Sequence, residues 1–284
     1  MCSDGIMPEA NTSAPTTDPA ELQRVAVHVA SLAAALVSRR RDQVLGASSV
    51  RTKSSDTDPV TLADTESEQL IRRELAILRP QDSVLGEEQG GGSDSGGLRW
   101  VVDPIDGTVN FLYGLPFYAV SVAVQQDGLT LAGAVVEVVS GRVFAAAKGY
   151  GATLNGAPLH CTTVTLVSSA LVATGFGYQA ERRRTQGAVL AALLPAVRDV
   201  RRVGSASLDL CAVAAGWVDA YYEHGLGPWD WAAGALIAAE AGAKVTLPAA
   251  NAAGSDGALV FAAAPGVAAE LLVLIDAAWA GPLP

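Results

Sequence analysis

Soft metal ligands are scarce in this chain and badly placed. Its 3 histidines, His28, His160 and His224, and its 3 cysteines, Cys2, Cys161 and Cys211, are scattered over 284 residues. No pair has the spacing of a zinc site, so a zinc or phosphohistidine mechanism has little to stand on. An odd number of cysteines, in a chain long enough to bury its own core, also argues against a disulfide framework and for a reducing cytoplasm. Positive charge is in short supply too: 19 Lys and Arg stand against 29 Asp and Glu, a net charge of −10. That sign repels nucleic-acid backbones and anionic membranes, so neither is an expected partner. An anionic substrate would need a local cation.

Membrane-length apolar runs are missing as well. Hydrophobic residues make up 50% of the chain and the mean hydropathy is +0.30. Yet the Ala/Val-rich stretches 205–218 and 231–243 are broken by Asp209 and Glu240 and are short for a span, so they are expected to be core helices. Residues 1–18 lack the basic and apolar parts of a signal peptide and are expected to form a disordered tail. No linker-like stretch divides residues 19–284, which are expected to form one domain.

What the chain does carry is Trp100-Val-Val-Asp103-Pro104-Ile105-Asp106-Gly107-Thr108-Val-Asn110-Phe111. The apolar start predicts a buried strand, and Pro104 and Gly107 predict a tight turn directly after it. Both aspartates and the Ile105 carbonyl could then face one point, with the Gly107 and Thr108 amides opening a helical turn suited to a phosphate. An ordinary Asp-Pro and Asp-Gly surface turn explains this stretch taken alone equally well.

The remaining pattern alternates helices and strands. A helix opening at Asp18-Pro19 carries an apolar stripe through Leu22, Val25, Ala26, Val29, Leu32, Leu36 and Val37, with His28 within it as a structural residue. Arg39-Arg40-Arg41 suits the dipole at its C-terminal end. A polar loop with Lys53 and Asp58 precedes acids at 64, 66 and 68, which crowd the start of a helix predicted over 69–78. A short strand at 83–85 leads to Gly86-Glu87-Glu88, whose acids would ordinarily be solvated. Strands over 118–124, 131–139 and 142–147 read as hairpin neighbours in an antiparallel sheet. A helix is predicted over 181–197 and a strand over 200–203, and Gly204-Ser205-Ala206 is first a helix-capping signal. The Gly-Phe-Gly at 175–177 is too short for a nucleotide loop. Asp230, in the first turn of a helix opening at Pro228, could simply complement that helix's dipole. A strand over 258–263 and a helix over 266–275 close the chain.

Taken together, the Asp103–Thr108 stretch, Gly86-Glu87-Glu88, the loop with Lys53 and Asp58, Gly204–Ala206 and Trp229-Asp230-Trp231-Ala232-Ala233-Gly234 resemble the motifs of the inositol monophosphatase family. The resemblance spans nearly everything after residue 20 and implies an α/β (α+β) fold, a layered αβαβα sandwich with mostly antiparallel sheets. It implies metal ligation by Glu87, Asp103, the Ile105 carbonyl, Asp106 and Asp230, with Asp103 bridging two Mg²⁺ and a third ion near Glu87. Mn²⁺ could substitute. Thr108, oriented by Asp58, and Glu87 would assist a metal-activated water. Gly107, Thr108, Gly204, Ser205, Ala206, Glu223 and Asp230 would contact substrate, Glu223 through ring hydroxyls. The expected substrate is the small phosphate ester myo-inositol 1-phosphate, with histidinol phosphate, fructose 1,6-bisphosphate and 3′-phosphonucleotides as alternatives. A cytoplasmic, lithium-sensitive homodimer is implied. A partner-binding regulatory protein on the same fold is the reading from another class.

Physical chemistry agrees that such a cluster needs cations. Two unpaired carboxylates ~4 Å apart at an effective dielectric of ~20 repel by about 4 kcal/mol. An all-oxygen donor set favours Mg²⁺ or Mn²⁺ over zinc.

Overall fold

Helix α1 (Pro19–Leu45) begins where the Asp18 carboxylate accepts the Ala20 amide at 3.2 Å, with proline at its first position. The structure, a computed structural model, describes residues 17–45, 51–52, 59–60, 62–91, 97–249 and 254–279. Residues 1–16 of the expected tail, including Cys2, lie outside them, as do Lys53 and Asp58. Leu22, Ala26, Val29, Ala33 and Val37 of α1 are fully buried, whereas His28 and Leu32 turn outward. By length and hydropathy Pro19–Arg41 could cross a membrane, but its apolar stripe is spent against a sheet. The arginine triplet does not complement the helix end. The helix runs on past it, Arg40 pairs with Glu66 at 2.8 Å, and Arg41 donates to the Gly114 carbonyl at 2.9 Å.

Strands β1 (Arg51–Thr52) and β2 (Pro59–Val60) form a short antiparallel pair. Helix α2 (Leu62–Leu78) starts earlier than predicted, so that Asp64 lies in its first turn and Glu68 is buried within its body. Strands β3 (Ser83–Gly86), β4 (Leu98–Asp106), β5 (Ala119–Gln126), β6 (Leu129–Glu137), β7 (Val143–Ala147), β8 (Ala152–Leu154) and β9 (Ala157–Pro158) then make a 7-stranded sheet in chain order. Only β3 and β4 are parallel in it. Helix α3 (Thr108–Tyr113) sits between β4 and β5. Asp127-Gly128, with φ of 50° and 76°, closes the β5–β6 hairpin as Asp-Gly turns do.

The second half supplies β10 (Leu171–Thr174), α4 (Ala180–Leu193), β11 (Asp199–Arg201), α5 (Ala206–Ala214), β12 (Ala220–His224), α6 (Pro228–Glu240), β13 (Lys244–Thr246), β14 (Leu259–Ala263) and α7 (Ala268–Ala278). Its sheet runs β11-β10-β12-β14-β13, with β10 parallel to both neighbours and β14 antiparallel to both of its own. The antiparallel expectation thus holds for the first sheet, while the second is mixed. Helix α4 stops at Leu193 instead of reaching 197: Leu194 keeps helical angles and bonds the Leu190 carbonyl, but Pro195 has no N–H to continue the ladder.

Three apolar clusters set the layers. Helices α1 and α2 cover one face of the first sheet, α5 and α6 fill the space between the sheets, and α4 and α7 cover the outer face of the second. This is the αβαβα sandwich. Strand β4 is buried on both faces: Trp100 and Val102 pack on the α1–α2 side and Val101 on the α5–α6 side.

Candidate active site

In a regular strand, residues three apart point to opposite faces, so Asp103 and Asp106 could not both serve one cavity. Strand β4 solves this with a bulge. Asp103 pairs with Ser121 and Asp106 with Ala119, and the register shifts between them. Pro104, with no N–H to give to a ladder, occupies the irregular segment, and its carbonyl accepts from the Ser67 hydroxyl at 3.2 Å. The Ile105 amide donates to Asp103 Oδ1 at 2.9 Å, while the Ile105 side chain packs with the α1–α2 core. The turn expected at Pro104 therefore comes later, at Gly107. There φ is +92° and an added Cβ would lie 2.9 Å from the Phe117 carbonyl, so no other residue fits without strain. Helix α3 follows at once, and the Thr108 hydroxyl donates back to the Ile105 carbonyl at 3.0 Å.

Each acid is set by a different element. Asp106 rests on the N-terminus of α5, where its Oδ2 accepts the Ser205 hydroxyl and the Ser207 amide, each at 2.7 Å, and also the Ser207 hydroxyl. Its Oδ1 accepts the Ala206 amide at 3.3 Å. Burial still pushes its pKa up, with the two serines pulling it down. Asp230 sits in the first turn of α6, and its Oδ2 accepts the Gly227 amide at 2.7 Å. Burial raises its pKa well above the ordinary value, and the charges of Glu87 and Asp106 add to the rise. Asp230 thus lines the cavity and also bonds its own helix start.

Glu87 comes directly after the parallel strand β3, its amide bonded to the Val102 carbonyl at 3.2 Å. Buried Glu68 anchors this corner, accepting the Glu88 and Gln89 amides at 2.8 and 3.2 Å and the Arg72 guanidinium at 2.8 Å. Gly86 is required beside it, since a Cβ there would lie 2.4 Å from the Glu68 carboxyl.

Oxygens of Asp103, Asp106 and Asp230 all lie within 4.8 Å of one another. Glu87 lines the same cavity of about 300 Å³, as do Ile105, Gly107, Thr108, Gly204, Ala206 and Glu223. Ser205 does not line it: buried at 1% exposure, its hydroxyl is turned to Asp106 and caps the Leu208 amide. Asp58 and Lys53 lie outside the described residues.

Across from the acids stands Glu223, whose Oε2 accepts the Tyr221 phenol at 2.8 Å. Burial raises its pKa to about 7, against the pull of the Tyr221 bond and the Arg202 charge. Gly175 makes room for it, because a Cβ there would fall 1.7 Å from Glu223 Oε2. Sequence reasoning missed several residues of this wall: Phe176, Tyr178, Gln179, Arg182, Arg202 and Ser255 also line the cavity. The Gly-Phe-Gly stretch and the adjacent Arg201-Arg202 were the available signals. Arg182 is tied to backbone, donating to the Gly225, Gly254 and Ser255 carbonyls at 3.3, 3.0 and 3.0 Å.

A cavity with three mutually close carboxylates, oxygen donors throughout, and the start of α3 alongside is suited to holding hard divalent cations against an anionic ester. The raised pKa values express what a cation would relieve, burial at Asp106 and burial with charge repulsion at Asp230.

Comparison with known proteins points the same way. The inositol-1-monophosphatase of Mycobacterium leprae (strain TN) is 54% identical over 278 residues, covering 92% of this chain and 96% of the relative. The solved structure of Mycobacterium tuberculosis SuhB superimposes with a TM-score of 0.81 at 50% identity, covering 93% of this chain and 98% of that one. The Nus factor SuhB of Vibrio cholerae serotype O1 (strain ATCC 39315 / El Tor Inaba N16961) is 40% identical over 198 residues, 69% of this chain and 74% of its own. Residues 18–279 match the inositol monophosphatase family, and with its fold and converging acids in hand this chain is a member of that family and a phosphatase.

Proposed function

We propose that this phosphatase hydrolyses the phosphomonoester of myo-inositol 1-phosphate, or of a closely similar polyol phosphate, with Mg²⁺ as its cofactor. The observation that carries the reading is the cluster of Asp103, Asp106 and Asp230 beside Gly107-Thr108, with Glu223 across the same cavity. Glu87, Asp103 and the Ile105 carbonyl would hold one ion, and Asp103, Asp106 and Asp230 a second, with room for a third near Glu87. Mn²⁺ fits the same oxygen donors. When bound, such ions make water more acidic and neutralise charge on the leaving oxygen.

The chain's own groups do the rest. The amides of Gly107 and Thr108 open α3 and orient the phosphate. The Thr108 hydroxyl donates its hydrogen bond to the Ile105 carbonyl, so its oxygen lone pairs are free to accept from water, with Glu87 as the second acceptor. Asp58, expected to orient Thr108, would accept that one hydrogen in place of the Ile105 carbonyl. Gly204, Ala206 and Glu223 border the sugar ring, and the carboxylate of Glu223 suits ring hydroxyls. Ser205 acts through Asp106.

The domain comprises residues 19–284 and works in the cytoplasm as a lithium-sensitive homodimer. Free Cys161 and Cys211 fit a reducing compartment. Histidinol phosphate, fructose 1,6-bisphosphate and 3′-phosphonucleotides remain competitors for the same chemistry. The relative named Nus factor SuhB favours a second, partner-binding role beside catalysis.

Phosphate release with and without Mg²⁺, on inositol 1-phosphate and the three competing esters, tests this. Mg²⁺-dependent preference for inositol 1-phosphate is the expected result. Preference for another ester overturns the substrate, and no release from any of them overturns the enzymatic reading.

A further inference from the structure

The wall that carries Glu223 is assembled from behind, by helix α4. Arg182 and Gln186 lie one turn apart on the same face of that helix and are only 7% and 2% exposed. Arg182 Nη1 donates to the Gly225 and Gly254 carbonyls at 3.3 and 3.0 Å, and its Nη2 to the Ser255 carbonyl at 3.0 Å. Gln186 Nε2 donates to the His224 carbonyl at 3.2 Å, and its Oε1 accepts the Gly177 amide at 2.9 Å. Two side chains thus clasp three separate segments: the loop after β10, the end of β12 with the loop that follows it, and the short turn Gly254–Asp256. Glycine lets the loops close in. A Cβ on Gly177 would lie 2.9 Å from Arg182 Cδ, and at Gly225, where φ is +85°, a Cβ would run into the guanidinium.

The clasped backbone groups are the frame of this wall. Phe176 and Tyr178 flank Gly177, Glu223 precedes His224, Leu226 follows Gly225, and Ser255 is held directly; all of these line the cavity, and Gln186 does not. Support of the fold is a poor account of Arg182 by itself. Among the described residues it forms no ion pair, and its Nε N–H is buried without a partner. A buried cation so placed is costlier than an apolar side chain filling the same space. What a guanidinium alone offers is several donors in one rigid planar fork, which here reaches two segments at once.

We propose that Arg182 and Gln186 are positioning residues for substrate selection. They set the spacing of the three segments, and with it the place from which Glu223 and its neighbours meet the ring of a polyol phosphate. The inference rests on the proposed function, in which this wall reads the alcohol half of the ester. The acid trio is held by other groups, the amides of Ile105, of Ser207 and Ala206, and of Gly227, none of which the clasp touches. Loosening the clasp therefore weakens the hold on the ring and leaves the hydrolytic step in place.

The test is steady-state kinetics of Gln186→Met, which keeps the size of the side chain and removes both of its bonds, on inositol 1-phosphate and on 4-nitrophenyl phosphate, which has no ring hydroxyls. KM for inositol 1-phosphate should rise about tenfold, the scale of a lost buried hydrogen bond, while kcat stays within about twofold of normal. KM for the aryl phosphate and the Mg²⁺ concentration for half-maximal rate should not move. Arg182→Lys, which keeps the charge but not the fork, should shift the ratio of the two esters in the same direction. Equal losses on both esters, or a fall in kcat with KM unchanged, would reduce the clasp to general support of the fold and overturn the proposal. Unchanged selectivity in the variants would overturn it too. If circular dichroism shows that Gln186→Met does not fold, Arg182→Lys decides between the same outcomes. Where the unmodified chain prefers another of the competing esters, the ratio is taken with that ester. A wrong substrate assignment then shows in the ranking of the unmodified chain, and a wrong clasp only in the variants.

Discussion

The two walls of the main cavity are built differently. On one, every member of the close acid trio is held by a backbone amide: Asp103 by Ile105, Asp106 by Ser207 and Ala206, Asp230 by Gly227. These amides belong to a bulged strand and to the first turns of two packed helices, which move little. On the other wall, Glu223 is held by one phenol, and Arg202 stands exposed on the loop after β11. Groups that must face developing charge work best when pre-organised, whereas groups that read a substrate can tolerate adjustment. Under the proposed function the first wall would carry the chemistry and the second the choice of ester.

The largest effect should come from the rigid wall. Asp103→Asn keeps the Ile105 amide contact and the fold but removes the charge shared by the cluster, and turnover should fall on the order of 10⁴-fold for every ester alike. Circular dichroism checks the fold, and a variant within tenfold of normal turnover would mean the chemistry does not reside on this wall.

The second wall makes a smaller but signed prediction in pH. Glu223 and His224 are neighbours on β12 and point to opposite faces, Glu223 toward the cavity and His224 onto Trp279, stacked at 3.6 Å. Burial raises the Glu223 pKa from 4.5 to about 7, so the folded state holds the extra proton and gains stability as pH falls from 7 to 4.5. Burial lowers the His224 pKa from 6.5 to about 4, so the unfolded state takes the proton first and stability is lost as pH falls from 6.5 to 4. Each contributes about 3 kcal/mol in opposite directions over nearly the same window. The raised carboxyls of Asp106 and Asp230 add to the gain on acidification, so the two groups are read as differences from the unmodified chain in urea unfolding with EDTA. His224→Gln should gain more stability on acidification than the unmodified chain, and Glu223→Gln should gain less. Parallel slopes for the two variants would sink this account of the wall.

The rigid wall was legible in the sequence because its residues are contiguous and chemically odd. Acids next to proline and glycine at the end of an apolar run stand out, and so does an aspartate opening an alanine-rich helix. What could not be read was the bulge. Spacing alone says that Asp103 and Asp106 converge or diverge depending on one irregular residue, and only the pairing with Ser121 and Ala119 decides it. The direction of Ser205 could not be read for a related reason, since a capping serine and a substrate contact look identical until the hydroxyl is seen to turn to Asp106 and Leu208. The second wall was largely hidden. Tyr178 and Gln179 from the loop before α4, Arg182 from the first turn of α4 and Arg202 from the loop after β11 meet only because β10, β11 and β12 lie side by side. Glu68, which sets the Glu87 corner, looked like one more acid at a helix start.

The smallest effect is the most informative about substrate choice. Glu223→Ala should weaken use of inositol 1-phosphate about tenfold relative to a plain aryl phosphate, the scale of one lost charged hydrogen bond. Gly175→Ala reaches the same carboxylate by a different route. Its new methyl would occupy the position of Glu223 Oε2, 1.7 Å away, and the side chain must swing off its bond to Tyr221. If Glu223 reads ring hydroxyls from that one position, the two substitutions should shift selectivity by similar amounts. The double variant should then add nothing further, because both remove a single interaction. Additive losses would mean that Gly175 and Glu223 act on the substrate separately. A Gly175→Ala enzyme with unchanged selectivity would move the reading of the ring from Glu223 to Tyr178 and Arg202 of the same wall.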